Sequence, residues 1–226
     1  MEVLSHPIEV DEAFHVLDIG NIIHVLYWLQ FFELVKDVPG SVVECGIGRG
    51  RSLLIHSVLN KLLSWENGRP RSTYAFDSFE GFPEPRPEDN SFRNPKKGEW
   101  SHSPSGKYEY NIEFIYRVLS NAGLINPHKE VSLVKGFFSE TLSNYDGGPI
   151  AILHLDGDLY ESYRDPLNIL YEQVASGGVI VFDDFTTISS GEDRFPGGRK
   201  AVEEFFADKP EKLINSIRGT PYVLKI

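Results

Sequence analysis

Short apolar runs alternate along this chain with stretches of helical spacing, and that alternation predicts a βα series. The first stretch, Phe14 to Lys36, carries Leu17, Ile22, Ile23, Leu26, Trp28, Leu29, Phe32 and Val35 over more than one helical face, with Gly20-Asn21 as a candidate break. Pro39-Gly40 stops this helix and turns the chain into a strand, Ser41 to Cys45. Three alternating glycines follow, then a helix from about Arg51 to Ser64. Thr73 to Phe76 reads as a second strand, Glu109 to Ala122 as a helix, and Val131 to Val134 as a third strand. Ile150 to Leu155 and Val179 to Phe182 are nearly continuous apolar runs, as parallel strands covered on both faces require. Between them Tyr160 to Val174 is helical, with Gly177-Gly178 expected to end it. Gly198 to Ala207 predicts one more short helix. The closing segments, Leu213 to Ile217 and Tyr222 to Ile226, flank a Gly219-Thr220-Pro221 turn. They must pair antiparallel, because a parallel return needs a crossover of a dozen or more residues.

The expected fold is therefore α/β, a Rossmann-like three-layer sandwich with a mostly parallel seven-stranded sheet and a C-terminal antiparallel hairpin. A chain of 226 residues suits a single domain, 1–226. Within it, 1–39 reads as an N-terminal helical cap, and 81–108, rich in Pro, Gly, Ser and charge, reads as a lid-like loop. A net charge of −11 argues against a nucleic-acid partner, whose phosphates are met by Lys and Arg. The one cysteine, Cys45, makes no intrachain disulfide and reads as a packed hydrophobe. With neither a signal-peptide pattern nor an unbroken apolar span, no membrane partner is expected and a cytoplasmic protein is the simplest account. The apolar N-terminal helix is a candidate packing surface for a homo-oligomer.

The run Val42-Val43-Glu44-Cys45-Gly46-Ile47-Gly48-Arg49-Gly50 carries the first candidate chemistry. An apolar strand that runs through alternating glycines into a helix lets the backbone approach a nucleoside-bearing cofactor, either a dinucleotide or S-adenosylmethionine. Arg51 stands where the dinucleotide pattern wants its third glycine, and Glu44 precedes the turn, where a carboxylate can accept from a cationic amino-acid head. Asp77, at the end of the second strand, can accept both ribose hydroxyls. These features favour S-adenosylmethionine. Gly136-Phe137-Phe138-Ser139 supplies an aromatic face and a polar contact suited to adenine. The cofactor set is thus Glu44, Gly46, Gly48, Ser52, Asp77, Ser78, Gly136, Phe138 and Asp156.

The second candidate site comprises Asp156, Asp158, Asp183 and Asp184, which follow the two strongly apolar strands. Neighbouring strands lie about 4.8 Å apart, so carboxylates at their carboxyl ends can reach one cation. Oxygen ligands suit a hard ion such as Mg²⁺, and a bound cation relieves the repulsion among four carboxylates. Asp156, Asp183 and Asp184 are the expected ligands. Asp158 is the expected general base, for which His154, inside an apolar run, is a weaker rival. The chemistry suggested is metal-assisted methyl transfer to an alcohol, since a cation holding two adjacent hydroxyls would lower their pKa and orient one of them.

Together these residues resemble the macrocin O-methyltransferase family. The resemblance rests on Val43-Glu44-Cys45-Gly46, Asp77-Ser78-Phe79-Glu80-Gly81, Gly136-Phe137-Phe138, Leu155 to Ser162, Gly177-Gly178, Asp183-Asp184-Phe185 and Lys200-Ala201-Val202. It implies a class I methyltransferase fold and an S-adenosylmethionine- and metal-dependent enzyme that methylates a sugar hydroxyl of a glycosylated natural product. It also implies a mobile lid, for which 81–108 and the N-terminal helix are the candidates. The acceptor is then a small molecule, a glycoside or another vicinal diol. A catechol-type enzyme acting on a phenolic diol, and a nucleotide-binding protein with structural carboxylates, are the alternative readings.

Overall fold

Apolar strand residues alternate between two covered faces, and helices on each side take up what the strands present. The computed structural model describes residues 19–68, 70–185 and 193–226. Helix α1 spans Ile19–Leu34, so the part of the predicted helix and cap before it lies outside the described residues. The series continues with β1 Ser41–Cys45, α2 Arg51–Asn67, β2 Thr73–Asp77, α3 Ile112–Asn121, α4 Pro127–Glu130, β3 Val131–Lys135 and α5 Phe138–Thr141. It ends with β4 Ile150–Leu155, α6 Tyr160–Leu170, β5 Val174–Phe182, α7 Pro196–Phe206, β6 Ile214–Asn215 and β7 Pro221–Leu224. The sheet order is β3-β2-β1-β4-β5-β7-β6, with β7 antiparallel to both of its neighbours. The expected mixed sheet and closing hairpin are therefore present.

Val43 and Cys45 of β1 face a core built with α6 and α7 around Tyr163, Leu167 and Phe206. Val42 faces the opposite core, where α1 contributes Tyr27, Trp28 and Phe31. Burial of these rings at nearly full area is worth about 1.5–3 kcal/mol for each side chain. Among the described residues no helix is long and apolar enough to cross a membrane.

One expectation fails at Gly177-Gly178. Helix α6 stops at Leu170 and a 3₁₀ turn, Tyr171–Gln173, leads straight into the nine-residue β5. Ile150 pairs with Val174 but Ile152 pairs with Val179, so β5 carries extra residues there and the two glycines sit in a bulge rather than at a helix end.

Segment 81–108 is irregular apart from a 3₁₀ turn, Pro87–Asp89. It is nevertheless tied down. Buried Asp89 accepts from Arg86 N at 2.7 Å and from Tyr160 N, in the first turn of α6, at 2.7 Å. Arg86 pairs with Glu161 at 3.0 Å.

Candidate active site

Register brings the carboxylates together. Leu155 of β4 pairs with Phe182 of β5, so the residues that follow, Asp156 and Asp183, leave adjacent strand ends side by side. Asp156 N donates to Cys45 O at 2.9 Å, and Asp183 N to Leu155 O at 3.0 Å, which continues the ladder one step beyond each strand. Gly46 permits this approach: at φ +96° a Cβ there would collide with the Asp156 carbonyl. The first glycine of the motif is thus required by a neighbouring strand end.

Ligand atoms of Asp156, Asp183 and Asp184 all lie within 4.8 Å of one another. Asp184 is oriented by two donors to its Oδ2, Asp158 N at 2.9 Å and Tyr163 Oη at 3.0 Å. Among the described residues Asp183 Oδ1 is buried without a hydrogen-bond partner, and the guanidinium of Arg218 is 3.6 Å away. Burial, followed by the charges of Asp183 and Asp184, holds the Asp156 carboxyl well above its usual range. Asp158 is raised by burial and by Asp184, and Asp184 is pushed up to about 6 by burial and by Asp183. Carboxylates crowded in this way favour either protons or a cation. An all-oxygen set with an orphaned buried oxygen fits a hard divalent ion.

The carboxylates share a cavity of about 520 Å³ with the glycine turn. Of the predicted site residues, Gly46, Gly48, Ser52, Asp77, Ser78, Phe138, Asp156, Asp158, Asp183 and Asp184 line it. Asp77 is held rigid by three backbone donors: Ile47 N at 2.8 Å and Gly48 N at 3.3 Å to Oδ2, and Phe79 N at 2.7 Å to Oδ1. Ser78 Oγ donates to Gly81 O at 3.0 Å, closing the turn after β2.

Two predicted cofactor residues are not in the lining. Glu44 alternates with Val43 and Cys45, so its side chain points to the α1 side of the sheet, where it is fully buried. There it lies 3.1 Å from His56 Nδ1 and 3.6 Å from His154 Nδ1, and both imidazoles meet the Trp28 ring edge to face. Burial raises the Glu44 carboxyl and lowers His56 to about 3. These three side chains form a second group with ligand atoms within 4.8 Å, away from the cavity. His154, the rival base, is accordingly a core residue. Gly136 is the other residue outside the lining; a Cβ there would meet the Thr141 side chain, and its neighbours Phe137, Phe138 and Ser139 line the cavity.

Several lining residues escaped the sequence reading. Arg51 entered only as a missing glycine, yet it lines the cavity, as do Phe82, Trp100 and Phe195. Tyr163, fully buried at the back of the carboxylates, was visible only as an aromatic position on α6. Spacing along a helix marks such a residue as inward-facing without saying which polar group its hydroxyl meets.

A seven-stranded sheet in this order, with its last strand in sequence inserted antiparallel and a glycine turn after its first, defines a class I methyltransferase fold. The calicheamicin methyltransferase CalS11 shares it with a TM-score of 0.76 at 22% identity, covering 97% of this chain and 87% of that one. The O-methyltransferase NovP superposes with a TM-score of 0.68 at 28% identity, covering 87% and 78%. The model of the macrocin-O-methyltransferase (TylF) family matches residues 32–213, and the chain belongs to that family. One curated relative, the 8-demethyl-8-(2,3-dimethoxy-alpha-L-rhamnosyl)-tetracenomycin-C 4'-O-methyltransferase of Streptomyces olivaceus, is 30% identical over 67% of this chain and 55% of its own length. The demethyldecarbamoylnovobiocin O-methyltransferase of Streptomyces niveus is 30% identical over 83% of this chain and 66% of its own. The chain thus spans less than two thirds of the length of either relative.

Proposed function

We propose that this chain transfers a methyl group from S-adenosylmethionine to one hydroxyl of a vicinal diol on a sugar, using a divalent cation such as Mg²⁺ held by Asp156, Asp183 and Asp184. The reading is carried by the meeting of these carboxylates and Asp158 in the same cavity as the glycine turn and Asp77. The rhamnosyl compound in the name of the S. olivaceus relative supports a sugar acceptor.

When bound, the sulfonium donor supplies an already activated methyl group, and the cation lowers the pKa of the acceptor hydroxyls. The chain's part is positional and acid–base. Asp77, locked by its three backbone donors, presents a fixed acceptor for ribose hydroxyls. Phe137 and Phe138 offer apolar surface for a purine. Asp158 lines the cavity in a left-handed backbone conformation, φ +61°, with its amide on Asp184. That tether aims the carboxylate at the cavity that also holds the ligand set, where it takes the proton leaving the acceptor hydroxyl. Burial raises its proton affinity, as a general base for an alcohol requires.

Calorimetry with S-adenosylhomocysteine, paired with turnover in the presence of excess chelator, tests the proposal. Chelation is expected to abolish turnover and leave cofactor binding largely intact. Full turnover in chelator rejects the metal role, and binding of a dinucleotide in place of S-adenosylhomocysteine rejects the whole reading. A panel of glycosides against catechols separates sugar from phenolic acceptors.

A further inference from the structure

One wall of the cavity carries none of the chemistry above. Phe82, Leu159 and Phe195 form a small buried cluster in which the two rings meet edge to face, 6.2 Å between centroids. Leu159 directly follows Asp158, so this cluster is joined through the chain to the proposed base. Trp100 also lines the cavity and leaves 41% of its surface exposed.

Trp100 is held in an unusual way. Its φ is +69°, a region that a bulky L-residue avoids. The surrounding backbone leaves it little choice. Phe82 N donates to Glu99 O at 2.8 Å and Gly98 N donates to Phe82 O at 2.9 Å, a two-bond ladder that ends beside the indole. Tyr110 N donates to Ser101 O at 2.9 Å on the other side. Gly81 packs so closely on the Gly98 and Glu99 carbonyls that any Cβ would collide with them. An over-determined, strained conformation that displays a large ring in a cavity points to contact with a ligand.

The chemistry of the wall narrows which ligand. Phe82, Pro83, Trp100 and Phe195 carry no charge, and the guanidinium of Arg194 lies over the Phe195 ring, 5.6 Å from its centroid. Asp156, Asp158, Asp183 and Asp184 line another part of the same cavity, beside Arg51 and the glycine turn. An occupant matched to both surfaces turns adjacent hydroxyls toward the carboxylates and a C–H face toward an indole, which is the polarity of a hexose or deoxyhexose ring.

We infer that Trp100, backed by Phe82 and Phe195, is the acceptor-positioning surface that stacks on the C–H face of a hexose or deoxyhexose. The inference rests on the methyl-transfer reading above and narrows its acceptor. The probe is p-nitrophenyl α-L-rhamnopyranoside, titrated by calorimetry into full-length protein saturated with S-adenosylhomocysteine and Mg²⁺. Trp100→Ala is expected to weaken the probe by about 3–10-fold, from the size of an aromatic stacking contact. Trp100→Phe should stay within about twofold of wild type, and the S-adenosylhomocysteine affinity of every variant should be unchanged. Trp100→Leu, which keeps apolar bulk without an aromatic face, repeats the test if the alanine variant does not fold. Equal probe affinity in wild type and the non-aromatic variants overturns the inference, as does a parallel loss of S-adenosylhomocysteine affinity. So does wild-type protein that binds S-adenosylhomocysteine but not the glycoside, a result that leaves methyl transfer itself standing. Wild-type protein that binds neither removes both readings.

Discussion

Tyr163→Phe deletes one oxygen from the hydrogen-bonded back of the carboxylate site, and the structure allows its cost to be worked out. The phenol accepts from Asp184 N at 3.1 Å and has acceptors for its single proton in Asp184 Oδ2 and Leu155 O, both at 3.0 Å. Without it Leu155 O keeps Asp183 N, and Asp184 Oδ2 keeps Asp158 N. The Asp184 amide alone loses its acceptor. An unpaired amide costs about 1–3 kcal/mol and a lost bond to a charged acceptor about 1.5–3 kcal/mol, and the two overlap because Asp184 relaxes once for both. Part of the amide's loss is recovered from water, since Asp184 is only half-buried. We therefore expect about 2 kcal/mol of destabilisation, or about 4–8 °C in Tm for a chain of this size. Freeing a ligand-orienting contact should also weaken Mg²⁺ binding by about 10–100-fold. Urea unfolding and Mg²⁺ titration by calorimetry measure both effects. A loss under about 0.5 kcal/mol with unchanged Mg²⁺ affinity would refute the view that Tyr163 holds Asp184 in place, because no packing change accompanies loss of a single hydroxyl.

Other perturbations separate the roles within the cavity. Asp158→Asn should lower kcat by about 10²–10⁴-fold while retaining S-adenosylhomocysteine binding, and equal turnover by the two proteins rejects Asp158 as the base. Asp77→Ala removes a carboxylate that orders the turn through Ile47, Gly48 and Phe79, so cofactor affinity should fall by about tenfold or more. An unchanged Kd for S-adenosylmethionine counts against that assignment. Acid stability reports on the buried group behind β1. The His56 pKa is depressed to about 3 from 6.5, so the unfolded chain takes up a proton that the fold refuses. That contribution is intact above pH 6.5 and is lost as pH falls toward 3, at about 1.4 kcal/mol per pH unit. Glu44, whose carboxyl is raised, works in the opposite sense above its ordinary range and offsets part of the slope. His56→Asn should therefore flatten the dependence of unfolding free energy on pH in the weakly acidic range, and superimposable slopes would exclude this linkage.

The places where sequence reading succeeded and failed share a physical pattern. Asp156, Asp183 and Asp184 were legible because each lies at the end of a continuous apolar strand, and parallel strands in one sheet open their carboxyl ends at the same edge. Glu44 stands outside the cavity lining for a related reason. Its position before the glycines is right for a cofactor, but strand alternation turns its side chain to the opposite face, and the partners that keep it there, His56 and His154, come from α2 and β4. Gly177-Gly178 misled because two glycines serve a helix end and a strand bulge equally well. Only the register between β4 and β5 distinguishes them.

Periodicity and turn chemistry therefore determined the βα series, the antiparallel close and the place of each carboxylate just past an apolar strand, because these depend on residues near one another in the chain. The tertiary structure alone decided that Gly46 is needed for the Asp156 carbonyl, that Tyr163 and Asp158 N orient Asp184, and that Trp100 faces the cavity. Each of these is a contact between segments separated by tens of residues. Local propensity carries no record of such distances, which are set only when strands pair in register and helices close over them.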